Sequence, residues 1–158
     1  MPDQKALRRQ LIKLLESNEA HATFEQAVDN FPAELRGKRP KGVDYSGWQL
    51  LEHLRLAQED ILDFSTNPGY KAMEWPQDYW PAKPEPPDAK SWDKSVSAYH
   101  KDRKALCALV VDEKTDLFAK IPHGDGQTIL REALLVADHN AYHIGQLVFL
   151  RKMLGAWG

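Results

Sequence analysis

Four stretches of this chain repeat their apolar residues at intervals of three and four, and proline- or glycine-rich segments separate them. That period belongs to amphipathic helices, and four of similar length in a small chain argue for helices packed on helices. The first stretch runs from about Gln4 to Asn30 behind an Asp3 cap, with Leu7, Leu11, Leu14 and Val28 on one face. The second follows Ser46, which has capping-box spacing to Gln49, and continues to about Ser65 with Leu50, Leu54, Ala57 and Ile61 inward. The third starts after Ser91 and ends near Val111, turning Trp92, Val96, Tyr99, Leu106 and Val110 inward. The fourth opens near Thr128 and closes near Leu154, where Gly155 can end it; its stripe is Ile129, Ala133, Val136, Leu147, Leu150 and Leu154. No segment alternates with strand period over a useful length. The expectation is an all-α fold, a four-helix bundle, formed as a single domain over residues 1–158.

The connection between the second and third helices is NPGYKAMEWPQDYWPAKPEPPDAK, far longer than the usual helix–helix turn. Its prolines oppose regular structure, while Tyr70, Trp75, Tyr79 and Trp80 are costly to leave in water. This Pro/Trp-rich segment is expected to pack along the bundle, as a crossover. A net charge of −2 gives no electrostatic reason to expect nucleic acid as partner. The basic cluster Lys38, Arg39, Lys41 is interrupted by Pro40 and reads as a solvated loop. The single cysteine, Cys107, has no partner for an internal disulfide, which suits a reducing compartment. No apolar run has signal-peptide length or approaches the roughly 20 residues of a membrane span. A soluble, cytoplasmic protein without a membrane partner is expected.

In the fourth helix, ADHNAYHIGQL places His139 and His143 one turn apart on one face. At about 100° per residue, both fall with Asn140 within about 60° of the apolar stripe. Polar groups in a core stripe cost free energy unless satisfied. Two imidazoles at this spacing form either a packed polar patch or half of a metal site. His53, on the inner flank of the second helix, supplies a third imidazole, and three would leave coordination positions open. Zn²⁺, Ni²⁺ and Fe²⁺ all accept imidazole, so ligand chemistry does not choose among them.

Several chemistries are excluded. HNAYH has Asn140 where a zinc peptidase of the HExxH type carries its glutamate. The residues three before His53, His139 and His143 are Leu50, Val136 and Asn140, so the Glu-x-x-His pairs of a di-iron bundle are missing. There is no GxSxG elbow, no Walker loop and no GxGxxG.

From His21 to Trp157 the chain resembles the DinB/YfiT-like superfamily of metal-binding four-helix bundles. The likeness is carried by WQLLEHLRLAQEDIL, by EWPQDYWP, and by IPHGDGQTILREALLVADHNAYHIGQLVFLR. It implies one divalent metal ion on His53, His139 and His143, an unusual helix order and frequent homodimers. It also implies either a hydrolase or a transferase using a low-molecular-weight thiol such as bacillithiol or mycothiol, acting on a small-molecule substrate. The other reading is a non-catalytic, metal-stabilised bundle that binds or senses a ligand.

Around such a centre, His21 and Glu132 are the candidates for proton transfer. His21 follows Asn18 and precedes Glu25 along the inner face of the first helix, and Glu132 lies two turns before His139. Asp60, two turns after His53, is a further carboxylate able to orient a ligand. Arg103 is the inward cation for an anionic thiol, unless its charge snorkels to the surface. His100 and His123 read as surface and loop residues, and Cys107 as a small apolar group.

Overall fold

The computed structural model describes residues 4–16 and 19–158. Among these the fold is all-helical: α1 (Gln4–Glu16), α2 (Phe24–Val28), α3 (Gly47–Thr66), α4 (Ser91–Val111) and α5 (Ile129–Met153), with no strand. α3 packs on both α4 and α5, α1 lies against α4 and α5, and α2 rests on α5. No helix among the described residues is long and apolar enough to cross a membrane.

The starts of the long helices follow local chemistry. Ser46 and Gln49 form the expected reciprocal cap, each side chain bonded to the other's backbone N–H at 3.2 Å. Thr128 caps α5 by accepting from the Arg131 N–H, and Gly155, at φ +68°, follows its last turn in a conformation open to glycine.

The first expected helix is instead two. Thr23 and Gln26 make a second capping box, so the chain starts a new helix at Phe24 rather than continuing the old one. Its inward face also differs from the apolar reading: Arg8, Leu11 and Leu15 are buried, whereas Leu14 is 52% exposed. Arg8 takes an inward position because its guanidinium donates to the Val110 carbonyl, one that the end of α4 leaves without an intrahelical partner, and to the carbonyls of Asp112 and Thr115 just beyond it. Asp3 and Asn18 lie outside the described residues.

Two apolar clusters form the interior. One gathers Phe24, Leu50, Leu51, Leu54, Trp92, Tyr99, Ile144, Leu147 and Leu150. The other gathers Leu11, Leu15, Leu106, Val110, Ile129, Ala133 and Val136. Along α5 the change from one to the other falls between Ala137 and Ile144, the turns that carry His139, Asn140 and His143. Residues 67–90 connect α3 to α4 and hold only a short 3₁₀ turn, Gln77–Tyr79.

A second buried arginine joins α5 to α2. Arg151 Nη1 donates to the carbonyls of Gln26, Ala27 and Asp29 at 3.0, 3.1 and 3.0 Å, and Nε donates to Ala156. Arg151→Met would keep the apolar stem and strip four acceptors of their donor. The expected cost is about 3 kcal/mol, read as a lower urea midpoint with an unchanged slope.

Candidate metal centre

His139 and His143 stand one turn apart on α5, and His53 faces them from α3. The Nε2 atom of His53 lies 3.1 Å from Nε2 of His143 and 3.1 Å from Nε2 of His139. One nitrogen from each ring falls within 4.8 Å of the other two, and no carboxylate or thiol joins the group among the described residues. His53 is 2% exposed and His143 8%, with His139 half-buried. Such convergence needs both the one-turn spacing on α5 and the close packing of α3 against it.

The outer nitrogens determine what the inner ones can do. Nδ1 of His53 donates to the backbone carbonyl of Tyr79 at 3.1 Å, and Nδ1 of His143 donates to Oε1 of Gln146 at 2.7 Å. A neutral imidazole carries one N–H, so both rings then present an Nε2 lone pair. Two lone pairs 3.1 Å apart repel unless a cation lies between them. A proton is disfavoured in that role: burial first, then the neighbouring His143, lowers the His53 pKa to about 4. Burial followed by His143 lowers His139 to about 4 as well, and burial lowers His143. Near neutral pH the site is therefore three uncharged nitrogen donors aimed at one place, which is the donor set a divalent transition metal accepts.

Aromatic rings surround the cluster. Trp80 stacks face to face on His53, with centroids 3.8 Å apart and planes 9° from parallel. Trp75 meets His53 edge-on at 6.2 Å, and Tyr142 meets His143 edge-on at 4.9 Å. Both Trp75 and Tyr142 are largely exposed, so they form the rim, whereas Trp80 forms a wall.

The remaining candidates are placed differently. His21 is exposed in the connection between α1 and α2, its Nδ1 donating to the carbonyl of Ala22 at 2.8 Å. The break at Thr23 removes the helical face on which its inward position was argued. Glu132 is buried, but it pairs with Arg131 at 2.9 Å and sits seven residues from His139, about 10 Å along the helix axis. Neither is brought to the three imidazoles. Glu25 and Arg103 form an ion pair, with His100 beside them at 3.2 Å from Arg103. Arg103 is thus already matched by a carboxylate. Nε2 of His123 donates to the carbonyl of Phe64, and Cys107 packs against the second apolar cluster. Asp60 accepts hydrogen bonds from two tyrosines of the connection.

Residues that sequence reasoning passed over complete the site. Gln146 is three residues beyond His143, a spacing that puts it over the ring and was available in HIGQ. Gln58 receives a hydrogen bond from Asn140 Nδ2 at 3.0 Å and donates to the Tyr99 carbonyl at 2.8 Å, tying α3, α4 and α5 beneath the histidines. The Tyr79 carbonyl and the Trp80 ring carried no local signal, because both arrive through the path of a long connection.

A helical interior crossed by three neutral imidazoles from two helices defines a class: all-α proteins with an internal three-histidine centre. This chain belongs to the DinB superfamily, whose family model matches residues 14–147. No curated protein and no solved structure gives a match.

The lowered pKa values have a consequence for the metal-free protein. Between about 4 and the ordinary 6.5, the unfolded chain takes up protons on His53 and His139 that the folded chain does not. Their contribution to stability is complete above 6.5 and is lost as pH falls toward about 4. The melting temperature should fall through this window, and His139→Gln should make that fall smaller.

Proposed function

We propose that the protein is a metal-dependent enzyme of four-helix-bundle architecture that holds one divalent cation on Nε2 of His53, His139 and His143. The observation that carries the reading is the meeting of three Nε2 atoms whose outer nitrogens, on His53 and His143, are already committed to Tyr79 and Gln146. Zn²⁺, Ni²⁺ and Fe²⁺ all suit the donor set. A cation held there would act as a Lewis acid on a small nucleophile, lowering its proton affinity. Three neutral ligands support that role, because none of them offsets the charge of the ion.

The protein's own residues provide orientation and exclusion. Tyr79 and Gln146 hold two rings in the tautomer that faces inward, and Trp80 fixes the plane of His53. Leu54, Ile144 and Leu147, all buried on the same helices, keep the surroundings apolar and strengthen electrostatic effects at the centre. Trp75 and Tyr142 flank the approach with exposed aromatic faces suited to a small substrate with apolar or planar character. Between the two nucleophiles, water is favoured over an anionic thiol, since Arg103 is paired with Glu25. A reducing, cytoplasmic setting agrees with the free Cys107.

A second reading is favoured by one observation: Trp80 covers the face of His53 and leaves that ring 2% exposed. A metal that only joined α3 to α5 would need no more access than this. The double variant His139→Ala with His143→Ala tests the shared premise. Untagged wild-type protein should carry about one metal per chain by elemental analysis, and the variant close to none. Removal of the metal by a chelator should lower the wild-type melting temperature and leave that of the variant unchanged. X-ray absorption then separates the readings: three imidazoles plus an exchangeable oxygen or sulfur supports the enzyme, and four or more protein ligands supports the structural role.

A further inference from the structure

One face of α3 carries Ser46, at its cap, then Gln49, His53 and Asp60, all within an arc of about 60° at 100° per residue. Each of these polar side chains holds a point of the connection between α3 and α4, in reverse chain order. Ser46 Oγ donates to the Pro84 carbonyl, and Gln49 Nε2 donates to that of Pro81 at 2.8 Å. His53 Nδ1 donates to the Tyr79 carbonyl. The two carboxylate oxygens of Asp60 accept from the hydroxyls of Tyr79 at 2.7 Å and Tyr70 at 2.9 Å. The connection thus runs back along α3 and is fastened at four places.

Tyr79 is the residue fastened twice. Its carbonyl holds the ring of His53, and its hydroxyl reaches the carboxylate seven residues further along the same helix. Hydrogen bonds to an ionised carboxylate are among the stronger ones, and Tyr79 and Trp80 are neighbours, so the same anchor also places the ring stacked on His53. Burial, followed by the Asp60 contact, raises the Tyr70 pKa to about 12 and that of Tyr79 further, which keeps both hydroxyls as donors.

We propose that Asp60 is a positioning residue for the three-histidine centre: through the Tyr79 hydroxyl it sets the carbonyl that holds the His53 imidazole with Nε2 toward His139 and His143. This rests on the metal-binding reading and deepens it, since it assigns the orientation of one ligand to a carboxylate that touches no ligand. The link is geometric and acts before any metal arrives.

Three variants of the full chain test it: Asp60→Asn, Tyr79→Phe and Tyr70→Phe. Tyr70 shares the carboxylate, but its ring packs on Phe64, at 5.2 Å, so Tyr70→Phe is the comparison. In Zn²⁺ and Co²⁺ titrations of metal-free protein, Asp60→Asn and Tyr79→Phe should each weaken binding about 10- to 100-fold, the range for partners that orient a ligating imidazole. The double variant should bind no more weakly than the weaker single one, because both changes cut one link. Tyr70→Phe should stay close to wild type. In parallel, ¹⁵N NMR of metal-free protein should show His53 as the Nδ1–H tautomer in wild type and Tyr70→Phe, and as a tautomer mixture in the other two. Wild-type affinity in both Asp60→Asn and Tyr79→Phe, or losses that multiply in the double variant, would overturn the proposal. So would an unchanged His53 tautomer, or an equal drop in melting temperature for all three variants with no change in affinity. The NMR comparison needs no metal, so a wild-type protein that bound none would sink the metal reading while Asp60 was still judged on its own.

Discussion

Nitrogen lone pairs brought together inside an apolar interior are the constraint around which this protein is arranged. His53, His139 and His143 occupy positions where leucine or valine would pack without electrostatic cost, at the change from one apolar cluster to the other. Burial makes the imidazolium form unfavourable, and the carbonyl of Tyr79 and the amide oxygen of Gln146 claim the outer N–H groups. What remains on His53 and His143 is a pair of inward acceptors 3.1 Å apart, with the third imidazole, His139, beside them. Such an arrangement is tolerated when a cation relieves it, and the surrounding hydrogen bonds are those that a ligating histidine requires.

Support for this arrangement comes from both sides of the helix pair. On α5, Asn140 lies between the two histidines and reaches Gln58 on α3, whose amide continues to the Tyr99 carbonyl of α4. This polar chain holds three helices in register beneath the rings. On the outer side, the connection between α3 and α4 lies over α3 and delivers a carbonyl, an indole face and a rim tryptophan to His53. The segment with least secondary structure therefore supplies much of the cluster's environment. Prolines suit that role, since they limit the conformations of the unfolded segment and carry no backbone N–H in need of an acceptor.

Legibility differed from residue to residue for physical reasons. The long helices α3, α4 and α5 were readable because their apolar periods are sustained, and α3 and α5 also have local caps; Ser46 with Gln49 and Thr128 with Arg131 involve only near neighbours. The first helix was misread where charge and period conflicted. Arg8 faces inward to cap α4, Leu14 faces out, and a second capping box at Thr23 outweighs the apolar pattern that runs through it. His21 lost its place beside the centre with that break. Glu132 kept its inward face but lies too far along the axis, because an angular argument carries no information about height.

The amino-acid order alone determined the pairing of His139 with His143 and the inward side of His53, since helical period converts spacing directly into a shared face. It determined equally that the long connection carries aromatic residues in need of cover. Only the packing of α3 on α5 decided that the three rings meet, at what separation, and which nitrogen of each ring looks inward. The partners that make this choice, the Tyr79 carbonyl on His53 and the Trp80 ring above it, lie more than twenty residues from the histidine they orient. Contacts across that span depend on the whole path of the chain, and no local propensity encodes them.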